Sequence, residues 1–198
     1  MPHDYQVLAS ERVYEGKVVS LRRDRLSMPG DTAAWRDVVE HPGAVAVVAL
    51  DENECVVVVR QYRHPVRRFL DELPAGVLDI EGEAAVETAR RELAEEAGLG
   101  ADQWHVLVDL LTSPGMSDEA SRIYLARGLH DVHRDVQEHE EAEMTSERVP
   151  LDDIVRGVLD GTYENSLLVA GALAADHARR LQFAGLRAAD APWPARRP

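Results

Sequence analysis

A single cysteine, Cys55, rules out an internal disulfide, so packing and hydrogen bonds must hold this chain together. The residue lies in the apolar run CVVVV and reads as core. No apolar run approaches the length of a membrane-spanning helix and the N-terminus is polar, so neither an anchor nor a signal peptide is expected, and the cytoplasm is the expected compartment. Basic residues are in deficit, with 22 Lys and Arg against 36 Asp and Glu and a net charge of −14. That balance argues against nucleic acid or an anionic membrane as a partner. It leaves room for an anionic small molecule where metal ions and a few arginines reverse the sign locally. Internal repeats are absent as well. The 198 residues make one ordinary domain, large enough for a proper core, with room for a small appendage.

What is present begins with alternating apolar and polar residues over positions 1–40, broken at Gly16 and at Pro29-Gly30. They read as three or four strands: around Val7, around Val13, from Val18 to Leu26, and from Trp35 to Glu40. After Gly43 the run AVAVVAL predicts a buried strand, Asp51 to Glu54 a hairpin turn, and Cys55 to Tyr62 the returning strand. Further strands are expected over Gln103 to Leu111 and Ser121 to Ala126, with the turn SPGMSDE between them. Residues 128–146 carry no apolar period and read as a long polar loop. An amphipathic helix is expected over Leu151 to Leu159, and a second is capped by Asn165 with Leu168, Ala172 and Ala175 facing inward. Residues 183–198 read as a frayed tail. Strands mixed with one long and two later helices predict an α/β layer architecture.

The most informative stretch is the acidic helix expected from about Glu83 to Ala97, stopped by Gly98. At about 100° per residue, Val86, Ala89, Leu93 and Ala97 form its buried stripe, and Glu92 and Glu96 lie about 40° apart on one edge of that stripe. Glu87, Arg91 and Glu95 form an i, i+4 ladder on the outer flank, as a solvated helix laced with ion pairs would have. Ion pairing does not account for Glu92 and Glu96, which repel each other at the border of the core. A hard divalent cation, Mg²⁺ or Mn²⁺, is the natural occupant of such an oxygen-only site.

With Gly76, Glu83, Arg91, Glu92, Leu93, Glu95, Glu96, Gly98 and Leu99, the segment resembles the Nudix box, G-x5-E-x7-R-E-U-x-E-E-x-G-U with U aliphatic. It fits without a gap from Glu83 to Leu99. Six residues instead of five separate Gly76 from Glu83, which reads as one extra residue in the loop before the helix. The resemblance implies the Nudix fold, an α/β/α sandwich with a mixed sheet, over residues 41–182. Residues 1–40 then form an additional N-terminal antiparallel β-region, similar to that through which the ADP-ribose pyrophosphatases of the family form homodimers.

The same resemblance implies Mg²⁺-dependent hydrolysis of the pyrophosphate of ADP-ribose to AMP and ribose 5-phosphate. It assigns metal binding to Glu92, Glu96, Glu95 and the carbonyl of Ala75, and an orienting role to Glu83 and Arg91. Gly76 and Gly98 are the structural glycines of the box. SPGMSDE resembles the substrate loop of those enzymes, which makes Glu119 a ribose or metal contact. Arg63, in QYR, and less directly Arg36, in WRDVVEH, are the candidate phosphate contacts. EHEEAEM resembles the segment that supplies the general base, here Glu141, with Glu140 and Glu143 behind it. His130, His133 and His139 match no standard zinc spacing, and neither Trp35 nor Trp104 is assigned a role. Two other readings stand beside this one: a Nudix hydrolase of another ADP-sugar, NADH or dinucleoside polyphosphate, and a module that senses ADP-ribose without cleaving it.

Overall fold

Residues 3–133 and 144–196 are described by a computed structural model. The alternation of the first forty positions resolves into an antiparallel sheet of β1 (Val7–Glu15), β2 (Ser20–Met28) and β3 (Thr32–Glu40). The segments expected around Val7 and Val13 are thus one continuous strand. Every residue of β1 is exposed, so this sheet has no cover on that strand.

The chain then enters β4 (Ala44–Ala49), nearly all of it buried. Turn 51–54 forms as expected: the Asp51 carboxylate accepts from the N–H groups of Asn53 and Cys55. The strand that follows, β5 (Cys55–Arg63), is not the hairpin partner of β4, however. After one bridge between Leu50 and Val56 it diverges into a second sheet, between β6 (Arg68–Glu72) and the later β10 (Thr145–Pro150). The reason is burial on both faces. Val56 and Val58 face one core while Val57 faces the other, so β5 sits as a wall between them.

β4 takes its partners elsewhere. One is β7 (Ala75–Val77); the other, across a parallel pairing, is β9 (Ala120–Asp131). The edge of this mixed sheet is built by β8 (Leu99–Leu111) and the short β11 (Arg187–Ala188). Helix α1 (Ala85–Ala97) covers one face, with Ala89 and Leu93 fully buried beside Val45, Val47 and Tyr124. Helices α2 (Leu151–Asp160) and α3 (Ser166–Arg180) cover the other, with Ile154, Leu168 and Ala172 against Val48 and Val58. The α/β/α layering and the N-terminal antiparallel region are as expected. Asn165 caps α3, accepting from the N–H groups of Leu167 and Leu168. Strands β8 and β9 run beyond their expected ends because their ladder continues to Leu99 opposite Asp131. β10 falls at the end of the supposed loop.

The C-terminal segment corrects the expectation of a frayed tail. Arg122, 2% exposed, grips Asp109 through two bonds of 2.7 and 3.1 Å and also donates to the carbonyls of Ala191 and Pro192. Its guanidinium stacks on Trp193 at 4.7 Å. Trp193 in turn packs against the α1-side core. Burial raises the Asp109 carboxyl, but its bonds to Arg122 and Arg187 outweigh that and hold it below the ordinary carboxylate range. The pair's stabilisation is therefore full above the unfolded pKa near ~4 and lost as pH falls below it. Arg122→Ala, leaving Asp109 without its main partner and the tail unanchored, is expected to lower unfolding free energy by about 3 kcal/mol in urea melts at neutral pH. The difference from the unmutated protein should shrink on acidification.

Candidate active site

The site is built where β7 meets α1. Gly98, at φ +66°, ends the helix in the left-handed conformation. That stop sets the register of the carboxylates upstream. Glu96 is 5% exposed, and its Oε2 accepts from the Ala75 N–H at 2.9 Å. Glu92 lies against Gly76, so closely that a Cβ on that glycine would fall 2.1 Å from the Glu92 carboxyl carbon. A glycine is therefore required by the approach of the strand to the helix edge, not by its own φ. The loop before the helix absorbs its additional residue in the exposed stretch 79–82, and Glu83 still reaches the helix. Its Oε2 accepts from the Thr88 hydroxyl at 2.7 Å and from Arg91 at 3.4 Å, and both bonds hold its carboxyl below the usual range.

Arg91 is the hub. It also donates to Glu92 at 2.7 Å and to Glu95 at 3.2 Å. Burial pulls this guanidinium down, but the bond to Glu83 and the charges of Glu92 and Glu95 outweigh it and raise its pKa. Glu87, expected on the same ladder, pairs instead with Arg90 at 2.9 Å. The ladder thus splits, and Arg91 turns toward the edge that carries Glu92.

Glu92, Glu95, Glu96, Ala75 and Gly76 line one cleft of about 330 Å³, together with Gln61, Asp79, Arg63 and Arg91. Its walls carry four carboxylates against two guanidiniums. Oxygen-only donors with excess negative charge suit a hard divalent cation. Among the described residues, no three His, Cys, Asp or Glu side chains are gathered into a ready-made metal cage. Arg91 occupies one oxygen of Glu92, and the Ala75 N–H one oxygen of Glu96.

Arg63, Ala75, Gly76 and Val77 also line a second cavity of about 560 Å³, which continues to His41, Thr112, Glu119 and Ser166. Glu119 is held there by the hydroxyls of Thr112, at 2.6 Å, and Ser121, at 3.2 Å. Arg63 is clamped by the buried Glu72 through two bonds of 2.9 and 2.6 Å, so its charge is already partly matched. Sequence reasoning missed Glu72, Asp79 and His41. Two adjacent acids between the leucines of LDEL were the available signal for the first. Arg36 is not brought to this place: it is exposed on β3, donates to the carbonyl of Trp35, and lines a separate cavity with Met116 and Leu111. The expected bases Glu140, Glu141 and Glu143 lie outside the described residues, as does His139.

Comparison with known proteins speaks to the family and the fold. Residues 40–167 match the model of the NUDIX domain family. An ADP-ribose pyrophosphatase of Mycobacterium tuberculosis is 50% identical over 191 residues, covering 96% of this chain and 92% of that protein. An ADP-ribose pyrophosphatase of Bacillus subtilis is 36% identical over 76% of this chain and 81% of its own length. A solved ADP compounds hydrolase superposes with a TM-score of 0.78, covering 91% of this chain and 96% of its own, at 19% identity, and so speaks for the fold.

Gly76→Ala tests the contact between strand and helix. The clash falls on the far end of a flexible side chain, so stability should change by less than about 1 kcal/mol. The displaced Glu92 should weaken Mn²⁺ binding, followed by electron paramagnetic resonance, by about tenfold or more.

Proposed function

The chain belongs to the NUDIX family, and on that premise we propose that it is a Mg²⁺-dependent pyrophosphohydrolase that cleaves ADP-ribose to AMP and ribose 5-phosphate. The observation that carries this reading is the junction of two cavities at Ala75, Gly76 and Arg63, one acidic and one lined by hydrogen-bonding groups. A diphosphate at the junction has the carboxylate edge on one side and room for a sugar beside Glu119 on the other.

Glu92 and Glu96, with Glu95 and the Ala75 carbonyl, would hold the cation. When bound, Mg²⁺ neutralises the diphosphate and acidifies a bound water. The chain's own residues do the rest. Arg91 holds Glu92 and Glu95 in place, and Glu83 holds Arg91. Arg63, steadied by Glu72, faces a phosphate oxygen. Glu119 accepts from a ribose hydroxyl. The proton of the attacking water goes to Glu141, with Glu140 and Glu143 as the alternative bases, a choice that rests on sequence resemblance.

The same reading makes the protein a homodimer of the cytosol, with neither nucleic acid nor membrane as partner. No helix among the described residues is long and apolar enough to cross a membrane. Support for the dimer comes from the N-terminal sheet, where Val7, Leu8, Val13, Tyr14 and Trp35 are all exposed. Such a row of apolar side chains calls for cover. Sedimentation equilibrium should give twice the 22.0 kDa of one chain, and Val13→Glu should shift the mass toward one copy.

Assays that release phosphate from the phosphomonoester products with an added phosphatase, run on ADP-ribose, NADH, ADP-glucose and diadenosine polyphosphates, test the substrate. ADP-ribose should lead in kcat/KM, and another substrate ahead by tenfold would replace it. Glu96→Gln should lower kcat by at least about a hundredfold while ADP-ribose binding is kept. Binding without turnover in the unmutated protein would instead identify a sensor.

A further inference from the structure

His41 lines the second cavity and has none of the roles assigned so far. It joins β3 to β4, and its ring is pinned. The Gly43 N–H donates to Nδ1 at 3.0 Å, while the His41 N–H donates to the Asp118 carboxylate at 3.0 Å. Gly43 is itself fixed: its φ is +94°, its carbonyl accepts from the Leu78 N–H, and a Cβ on it would sit 3.1 Å from the Ala120 carbonyl oxygen. Because Nδ1 accepts, the ring hydrogen in this tautomer is on Nε2, which has no hydrogen-bond partner among the described residues. His41 and the half-buried acceptor Glu119 line the same cavity, and Asp118, next in sequence to Glu119, holds the backbone of the histidine.

An acceptor-only carboxylate and an N–H donor beside one cavity complement a vicinal diol, each hydroxyl of which both donates and accepts. We propose that His41 is a specificity residue for the sugar end of the substrate: its Nε2–H donates to one hydroxyl of the terminal ribose while a neighbouring hydroxyl donates to Glu119. This rests on the reading of the site as one for ADP-ribose, which fails separately if the unmutated protein does not cleave that compound.

Two substitutions divide the ring's functions. His41→Asn keeps an acceptor near the place of Nδ1 for Gly43 and removes the donor; His41→Gln keeps a donor near the place of Nε2 and gives up the acceptor. His41→Asn should lose about tenfold in kcat/KM for ADP-ribose, through KM, and bind ribose 5-phosphate as a product inhibitor about tenfold more weakly, with AMP inhibition unchanged. His41→Gln should stay within about threefold of the unmutated protein. The reverse order, or a loss confined to AMP inhibition, would overturn the proposal. The unmutated protein supplies a measurement that does not depend on either variant folding: the His41 Nε2 nuclear magnetic resonance signal should move when ribose 5-phosphate is added and stay in place with AMP. A signal unmoved by ribose 5-phosphate would also overturn it.

Discussion

A carboxylate as enclosed as that of Glu96 must be met by a donor or a cation. The Ala75 N–H supplies the donor, and in doing so it ties β7 to the inner edge of α1. Around that bond the rest of the site takes its place. Gly76 follows immediately and gives Glu92 the space a side chain would fill. Ala75 also pairs with Ala46 in the heart of the sheet, so the acidic edge is referenced to the most deeply buried strand of the protein. The precision of the cleft is inherited from packing instead of from the cleft's own residues, which largely repel one another.

Charge is managed in a sequence of paired groups. Glu83, Glu92 and Glu95 converge on Arg91, so one guanidinium limits their mutual repulsion without removing the excess negative charge of the cleft. Glu72 does the converse for Arg63, holding a cation at the boundary of the two cavities. A chain with net charge −14 thereby keeps two cations, Arg63 and Arg91, at the acidic cleft. Beyond Arg63 and Glu72 the second cavity adds hydroxyls, an imidazole and the pinned carboxylate of Glu119, groups able to bond the hydroxyls of a sugar.

Much of this was legible because local rules set it. The 3.6-residue period and Gly98 place Leu93 inside and Glu92 with Glu96 on the same edge, and Asn165 marks the start of α3 by its capping oxygen. Three features were hidden because long-range contacts decide them. The divergence of β5 from β4 depends on cores on both sides, and CVVVV reads the same in either sheet. TSERVP shows no apolar period, since β10 is chiefly a hydrogen-bonded edge beside β5. The C-terminal segment owes its position to Arg122, about 70 residues away, whose importance no local pattern announces. Arg36 makes the same point from the other side: nothing local in WRDVVEH says that, within one chain, it lines a cavity with Leu111 and Met116 and not the acidic cleft.

Hydrolysis as proposed requires Glu92, Glu96 and the Ala75 carbonyl to share a cation that holds a diphosphate. Anomalous diffraction from a crystal soaked with Mn²⁺ and a non-hydrolysable ADP-ribose analogue addresses this directly. An anomalous peak is expected between those oxygens, with the analogue's phosphates against it and its terminal ribose toward Glu119. A cleft without such a peak, or a manganese bound elsewhere with the analogue, would contradict it.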